Sequence, residues 1–135
     1  MDNHILEIKN KIENEPYAKI FNIKIEELRE GYSKVSMLAR KDFNNMFSII
    51  QGGAIFSLAD FAFAAAVNAY KSMAVAVNIN INYIKSAIEG DTLTAEAIEI
   101  SRGKRVSTYI ISVKNDKDEL IASIHALAFI KHSDK

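Results

Sequence analysis

Residues 49–70 read IIQGGAIFSLADFAFAAAVNAY. From Phe43 to Tyr70 the only formally charged side chain is Asp60, in a chain whose residues are 25% charged overall. Apolar side chains recur nearly all round from Gly52 to about Tyr70, which predicts one long helix that must be covered on most of its sides. The stretch also meets the length of a bilayer span, ~20 mostly apolar residues. Gln51, Asp60 and Asn68 in its middle, together with a strand-rich remainder, argue against a span, so no membrane partner is expected.

On either side of this segment the period changes. Residues 3–14 place Ile5, Ile8 and Ile12 at helical spacing among charged neighbours, predicting a short amphipathic helix whose pattern Pro16 ends. FNIKIEELREGYSKVSMLAR alternates in the strand manner and turns at Glu30-Gly31, which reads as a hairpin. After the long helix, AVAVNININY puts Val75, Val77, Ile79, Ile81 and Tyr83 on one parity, a half-buried strand. DTLTAEAIEIS, VSTYIISVKND and ELIASIHALAFIKH follow, separated by turn signals at Arg102-Gly103-Lys104 and Asn115–Asp118, and such short loops make them antiparallel neighbours. Within AEAIEI the apolar parity slips at Ala97-Ile98, predicting a bulge there or a strand buried on both faces.

The class that follows is α+β: a long central helix wrapped by an antiparallel sheet, with a short N-terminal helix, in a single domain over 1–135. One sheet covers one side of an apolar helix, so a second copy of the subunit is the economical cover for the other. Seventeen basic and seventeen acidic residues cancel, and nucleic acid is not an expected partner. There is no cysteine, which removes disulfides, thiolate catalysis and Cys-based metal sites. The N-terminal stretch lacks a basic flank before an apolar core, so cytoplasmic residence is the expectation.

Glycines occur only at 31, 52, 53, 90 and 103, and neither a dinucleotide fingerprint, a Walker loop nor a G-x-S-x-G elbow can be written. His4, His125 and His132 are too scattered for metal-ligand spacing, and His125 is expected on a strand face. Asn45, Gln51, Gly52, Gly53 and Asp60 remain. Gly52-Gly53 opens the apolar helix, where unpaired backbone N–H groups suit a developing oxyanion. Asp60 lies eight residues on, ~12 Å along the axis, so one chain cannot bring both groups to one carbonyl, whereas two antiparallel helices across a two-fold axis can. The blander account makes Gly-Gly a tight turn and Asp60 a buried carboxylate bonded to a nearby donor.

NNMFSIIQGGAIFSLADFAFAAAVNA resembles the segment that marks PaaI-type thioesterases of the hotdog superfamily, commonly N-x-x-G-x-x-H-G-G followed by a small-residue helix bearing Asp or Glu. The similarity runs from the hairpin through NININYIKSAIEGDTLTAEA to the last strand. It implies a hotdog fold with a curved sheet, subunits joined edge to edge as homodimers that often pair into tetramers, and hydrolysis of acyl-coenzyme A. By position it implies that the Gly52 N–H polarises the thioester carbonyl, Asn45 helps hold the nucleophile or water, and the partner's Asp60 acts as general base or nucleophile. Gln51 stands where histidine is usual, Ser48 for the motif glycine, and Ala76 where some relatives have serine. Gln donates a hydrogen bond but does not titrate.

Coenzyme A needs cations for its phosphates, and Lys85, Arg102, Lys104 and Arg105 are the candidates. Gly53, Met46, Phe56 and Phe63 are the candidate substrate-pocket residues. The expected activity is an acyl-CoA thioesterase needing no metal or organic cofactor. The alternatives are an acyl-CoA-binding hotdog protein that does not hydrolyse, and hydratase-like chemistry, for which no His-Asp pair is evident.

Overall fold

The computed structural model describes residues 2–132. The N-terminal amphipathic pattern forms α1 (Asn3–Glu13), N-capped by the Asp2 side chain accepting from the His4 N–H. Ile5 and Ile12 are its buried residues, as the spacing requires. Pro16 does more than end this helix. It opens a second short one, α2 (Pro16–Phe21), where a proline at the first position loses no hydrogen bond. Asn22 then stops α2 in the left-handed conformation, φ 51°.

Six strands follow: β1 (Lys24–Arg29), β2 (Tyr32–Leu38), then after the long helix β3 (Met73–Tyr83), β4 (Thr92–Arg102), β5 (Val106–Lys114) and β6 (Leu120–Lys131). They form one antiparallel sheet in the order β1-β2-β4-β5-β6-β3. The hairpin at Gly31, φ 76°, and the β4-β5-β6 meander lie where the turn chemistry put them. The long helix α3 (Gly52–Asn68) lies against the inner face of this sheet. Ala95, Ala97, Ala122, Ala126 and Ala128 are buried on that face, and small residues on both partners let helix and sheet approach closely. Asn68 closes α3 by exchanging hydrogen bonds with Ala74 at the start of β3. The His4 Nε2 reaches the carbonyls of Asn68 and Tyr70 at 3.0 and 2.9 Å, tying α1 to the same end.

Two register details differ from the sequence pattern. In β3 the pairing with β6 shifts between Ala76 and Asn78, so Val77 is a bulge and the single parity breaks there. Ala74, Ala76, Ile79, Ile81 and Tyr83 pair with the buried Ile130, Ala128, Ala126, Ile124 and Ala122. Val75 and Val77 are thereby turned to the outer face. In β4 the irregularity comes between Glu99 and Ser101, two residues beyond the expected slip. Ala97 keeps the inner parity and Ile98 is exposed, so the strand is not buried on both faces.

α1 and α2 also change how α3 is covered. Tyr17 and Phe21 of α2 pack on Phe61, with ring centroids 5.8 and 5.9 Å away. Part of the side that the sequence assigned to a second copy is therefore filled by the chain's own N-terminal helices. What stays partly open is the stripe Gly53, Phe56, Asp60, Ala64, at helical spacing along one face. Among the described residues no helix is long and apolar enough to cross a membrane.

Candidate active site

The site is built where the loop 44–51 delivers the chain into α3. Asn45 organises this loop: its N–H donates to the Ile49 carbonyl at 2.8 Å, and its Oδ1 accepts from the N–H groups of Phe47 and Ile49. That use leaves the Asn45 Nδ2 hydrogens without an acceptor among the described residues. Ser48 sits in the left-handed region, φ 61°, which explains why glycine is usual at this motif position. Gln51 occupies the N-cap of α3 and makes no side-chain capping bond. The N–H groups of Gly52 and Gly53 have no acceptor among the described residues, so the positive end of α3 is open.

This helix end faces a cleft of about 310 Å³ lined in part by Asn45, Ile50, Gly52, Ile55, Tyr83 and Lys85. The Tyr83 hydroxyl donates to the Gly52 carbonyl at 2.9 Å. A Cβ on Gly52 would lie 3.0 Å from the Tyr83 ring carbon Cζ and its hydroxyl, so glycine is needed here for close approach. Gly53 has no such neighbour and is the more exposed of the pair.

Asp60 lies elsewhere. It shares a small niche with Phe56, Phe63, Ile79, Ile111 and Ile124, and no cation or hydrogen-bond donor meets its carboxylate among the described residues. Burial pushes its pKa above the ordinary 3.8, because the surroundings penalise the charged form. The donor that the blander account of Asp60 required is missing. A second carboxylate, Glu15, feels the Asp60 charge: its pKa is raised first by burial and then by Asp60.

Phe56 and Phe63 thus stand beside Asp60, while Met46 is 86% exposed and touches neither hollow. The four candidate phosphate cations are not brought together within one chain. Lys85 is at the cleft and paired with Glu119. Arg102 is turned inward, over the Tyr70 ring at 3.6 Å and toward Glu99. Lys104 and Arg105 line a separate groove with Lys131 and His132. The register puts that groove at the opposite end of the sheet from Tyr83: Val106 pairs with Phe129 and Met73 with Lys131, whereas Tyr83 pairs with Ala122. His125 lies on the exposed outer face opposite Asn80.

Tyr83, Tyr17, Ser57 and Glu15 were not singled out by sequence. Tyr83 read simply as the last apolar position of an alternating strand, and nothing local reveals that its hydroxyl reaches back to position 52. Tyr17 and Glu15 belong to α2, a helix too short to carry a periodic signal.

The thioesterase superfamily model matches residues 47–122. An Archaeoglobus fulgidus protein named putative esterase is 42% identical over 81% of this chain and 71% of its own length. The acyl-coenzyme A thioesterase PaaI of Escherichia coli is 36% identical over 82% of this chain and 79% of its own. The structure of the E. coli PaaI protein from the phenylacetic acid degradation operon superposes with a TM-score of 0.91 at 30% identity, covering 96% of this chain and 95% of that one. The chain belongs to the thioesterase superfamily, with the hotdog fold and on its PaaI-type branch. It is an enzyme of the thioester-hydrolase class.

Proposed function

We propose that this chain hydrolyses acyl-coenzyme A thioesters at a site shared between two subunits. The observation that carries the proposal is the open amino end of α3 at Gly52-Gly53, in a cleft with Asn45, on the same helix as a half-buried carboxylate without a cation among the described residues. The Gly52 N–H takes the developing oxyanion, and the partner's Asp60 removes a proton from the attacking water. Water's oxygen bonds to the carbonyl carbon, the C–S bond breaks, and the thiolate leaves with the proton that Asp60 took, giving the free acid and CoA. No metal or organic cofactor enters these steps. The coenzyme A part of the reading is supported by the E. coli relative named an acyl-coenzyme A thioesterase.

Sharing between subunits is supported by the sheet's two edges. β1 carries Lys24, Glu26, Glu27 and Arg29 and a bulge, features that discourage pairing. β3 is eleven residues long without a charge. Antiparallel pairing of two β3 edges across a two-fold axis sets the Tyr83 end of one chain beside the Met73 end of its partner. Such a homodimer, able to pair further into a tetramer, brings the groove of Lys104 and Arg105 toward the other chain's Gly52 and Lys85. These cations would then hold the phosphates, with Met46, Phe56 and Phe63 for the acyl group. The cysteine-free composition suits a reducing compartment, and the enzyme is proposed to work in the cytoplasm.

The test is a hydrolysis screen across acyl-CoA chain lengths, with free thiol as the readout. Thiol release that rises with enzyme concentration is expected. Gln51 favours a second reading, a protein that binds acyl-CoA without turning it over, since a non-titrating side chain stands where the family motif that the chain resembles usually has histidine. Calorimetric binding without thiol release supports that second reading, and absence of both overturns the two together.

A further inference from the structure

The carbonyls of Gly52 and Gly53 each receive a side-chain hydrogen bond. Tyr83, at the far end of β3, donates to the Gly52 carbonyl at 2.9 Å. Ser57 donates to the Gly53 carbonyl at 2.8 Å, and its Oγ is 3.0 Å from the Tyr17 hydroxyl of α2. With the serine proton committed to Gly53, the Tyr17 phenol is the donor in that pair, so the chain runs Tyr17 to Ser57 to Gly53. Two phenols from two elements therefore converge on one dipeptide, and that dipeptide opens the helix whose end faces the cleft.

The peptide unit between Gly52 and Gly53 carries the Gly52 carbonyl and the Gly53 N–H. A hydrogen bond accepted at one end of an amide strengthens donation at the other. Tyr83 therefore acts on the Gly53 N–H electronically. It acts on Gly52 sterically as well, because its ring fills the space a Cβ would take. Glycine is the residue least able to hold its own backbone orientation, and an oxyanion donor helps only if it is aimed before the charge develops. Burial pushes the Tyr83 pKa up, which keeps the phenol a proton donor across the neutral and mildly alkaline range.

We infer that Tyr83 is a positioning residue for the reaction: its ring and its hydrogen bond to the Gly52 carbonyl fix the backbone of Gly52 so that the Gly52 N–H is aimed at the thioester oxygen, and the same bond polarises the adjoining Gly53 N–H. This rests on the thioester-hydrolysis reading of the cleft, and it adds a residue and a bond that act through the backbone without touching substrate.

The test is Tyr83→Phe, which keeps the ring against Gly52 and removes only the hydroxyl. Tyr32→Phe is the control, since its phenol bonds Glu96 and lines neither the cleft nor the Asp60 niche. In Tyr83→Phe, kcat for acyl-CoA hydrolysis is expected to fall about five- to ten-fold with KM held within about two-fold, less than the loss of a whole oxyanion donor. Glycine-selective ¹⁵N labelling gives a readout independent of activity, because the chain has five glycines. The Gly53 amide is expected to move upfield in both dimensions while Gly90 and Gly103 stay in place. An unchanged kcat, a raised KM at constant kcat, or a kcat loss with an unmoved Gly53 amide each overturns the inference. If the parent hydrolyses no acyl-CoA, the proposed activity falls separately. The Gly53 resonance then decides the positioning: a shift upholds the polarised peptide and a stationary peak removes it.

Discussion

Asp60 and Gly52 lie on one helix yet open into different hollows, Gly52 into the cleft with Asn45 and Tyr83, Asp60 into the niche with Phe56 and Phe63. A site needing both must draw them from two chains. Asp60→Ala and Asn45→Ala are each expected to be inactive alone. Co-expressed, about half of randomly assembled dimers are mixed, and each mixed dimer holds one intact site, so about one quarter of all sites regain activity. Thiol release by the co-expressed population measures this, and purified mixed dimers should regain about half of their sites. Mixed dimers that stay inactive assign both groups to one chain's site or to none.

Asp60→Asn is expected to cut kcat by ~100-fold, the scale of a lost general base, while stabilising the protein at neutral pH. The sign follows from burial, which raises the Asp60 pKa above 3.8. Between 3.8 and that raised value the folded chain holds a proton that the unfolded chain has released, so stability falls as pH rises through the window. Asn carries no charge to desolvate. Urea midpoints should favour the variant at pH 8, and the advantage should shrink on acidification and vanish near pH 3, where both states are protonated. In the parent, the acid limb of kcat/KM should lie above the ordinary carboxylate range.

Gln51→His is expected to preserve or raise turnover, since the side chain makes no capping bond that the change would lose. It also introduces a group titrating near pH 6.5. Its signature is a new inflection near neutrality in the pH profile of kcat, which the parent lacks. A variant with turnover below the parent at every pH would show that position 51 does not orient the acyl group through a hydrogen bond.

Ser48→Gly should stabilise the fold by about 0.5 to 1 kcal/mol, because φ 61° strains a side chain and suits glycine. The urea midpoint should rise with an unchanged m-value. Ser48 lies within the Asn45 loop but does not line the cleft, and glycine keeps its backbone geometry, so kcat should hold. A lower midpoint would mean that the flexibility gained by the unfolded chain outweighs the relieved strain.

How much of this was legible depended on how local the signal was. The long helix, the hairpin and the four later strands each repeat a period over many residues, so their patterns survive folding almost unchanged. Bulges were half-legible: the slip in β4 announced one, but its position waits on which neighbour pairs, and in β3 the bulge hid inside an unbroken alternation. The amino end of α3 was readable because glycine pairs and helix termini are local. The bond from Tyr83 to Gly52 spans thirty-one residues and has no local trace. The dispersal of Lys85 from Lys104 and Arg105 is likewise a matter of which ends of the sheet adjoin. α2 escaped because six residues complete fewer than two turns.

The bare β3 edge has a further consequence for the newborn chain. Eleven consecutive residues without a charge or proline form a template that accepts any extended segment, correct or not. Until that edge is covered, each molecule is both a seed and a substrate for disordered aggregation. If β3 pairs as in the proposed dimer, dilution delays the bimolecular encounter that hides the edge, while crowding with half-folded chains multiplies wrong encounters. Recovery of folded protein should therefore pass through a maximum with synthesis rate, and a lysine on the outer face of β3 would trade assembly for solubility.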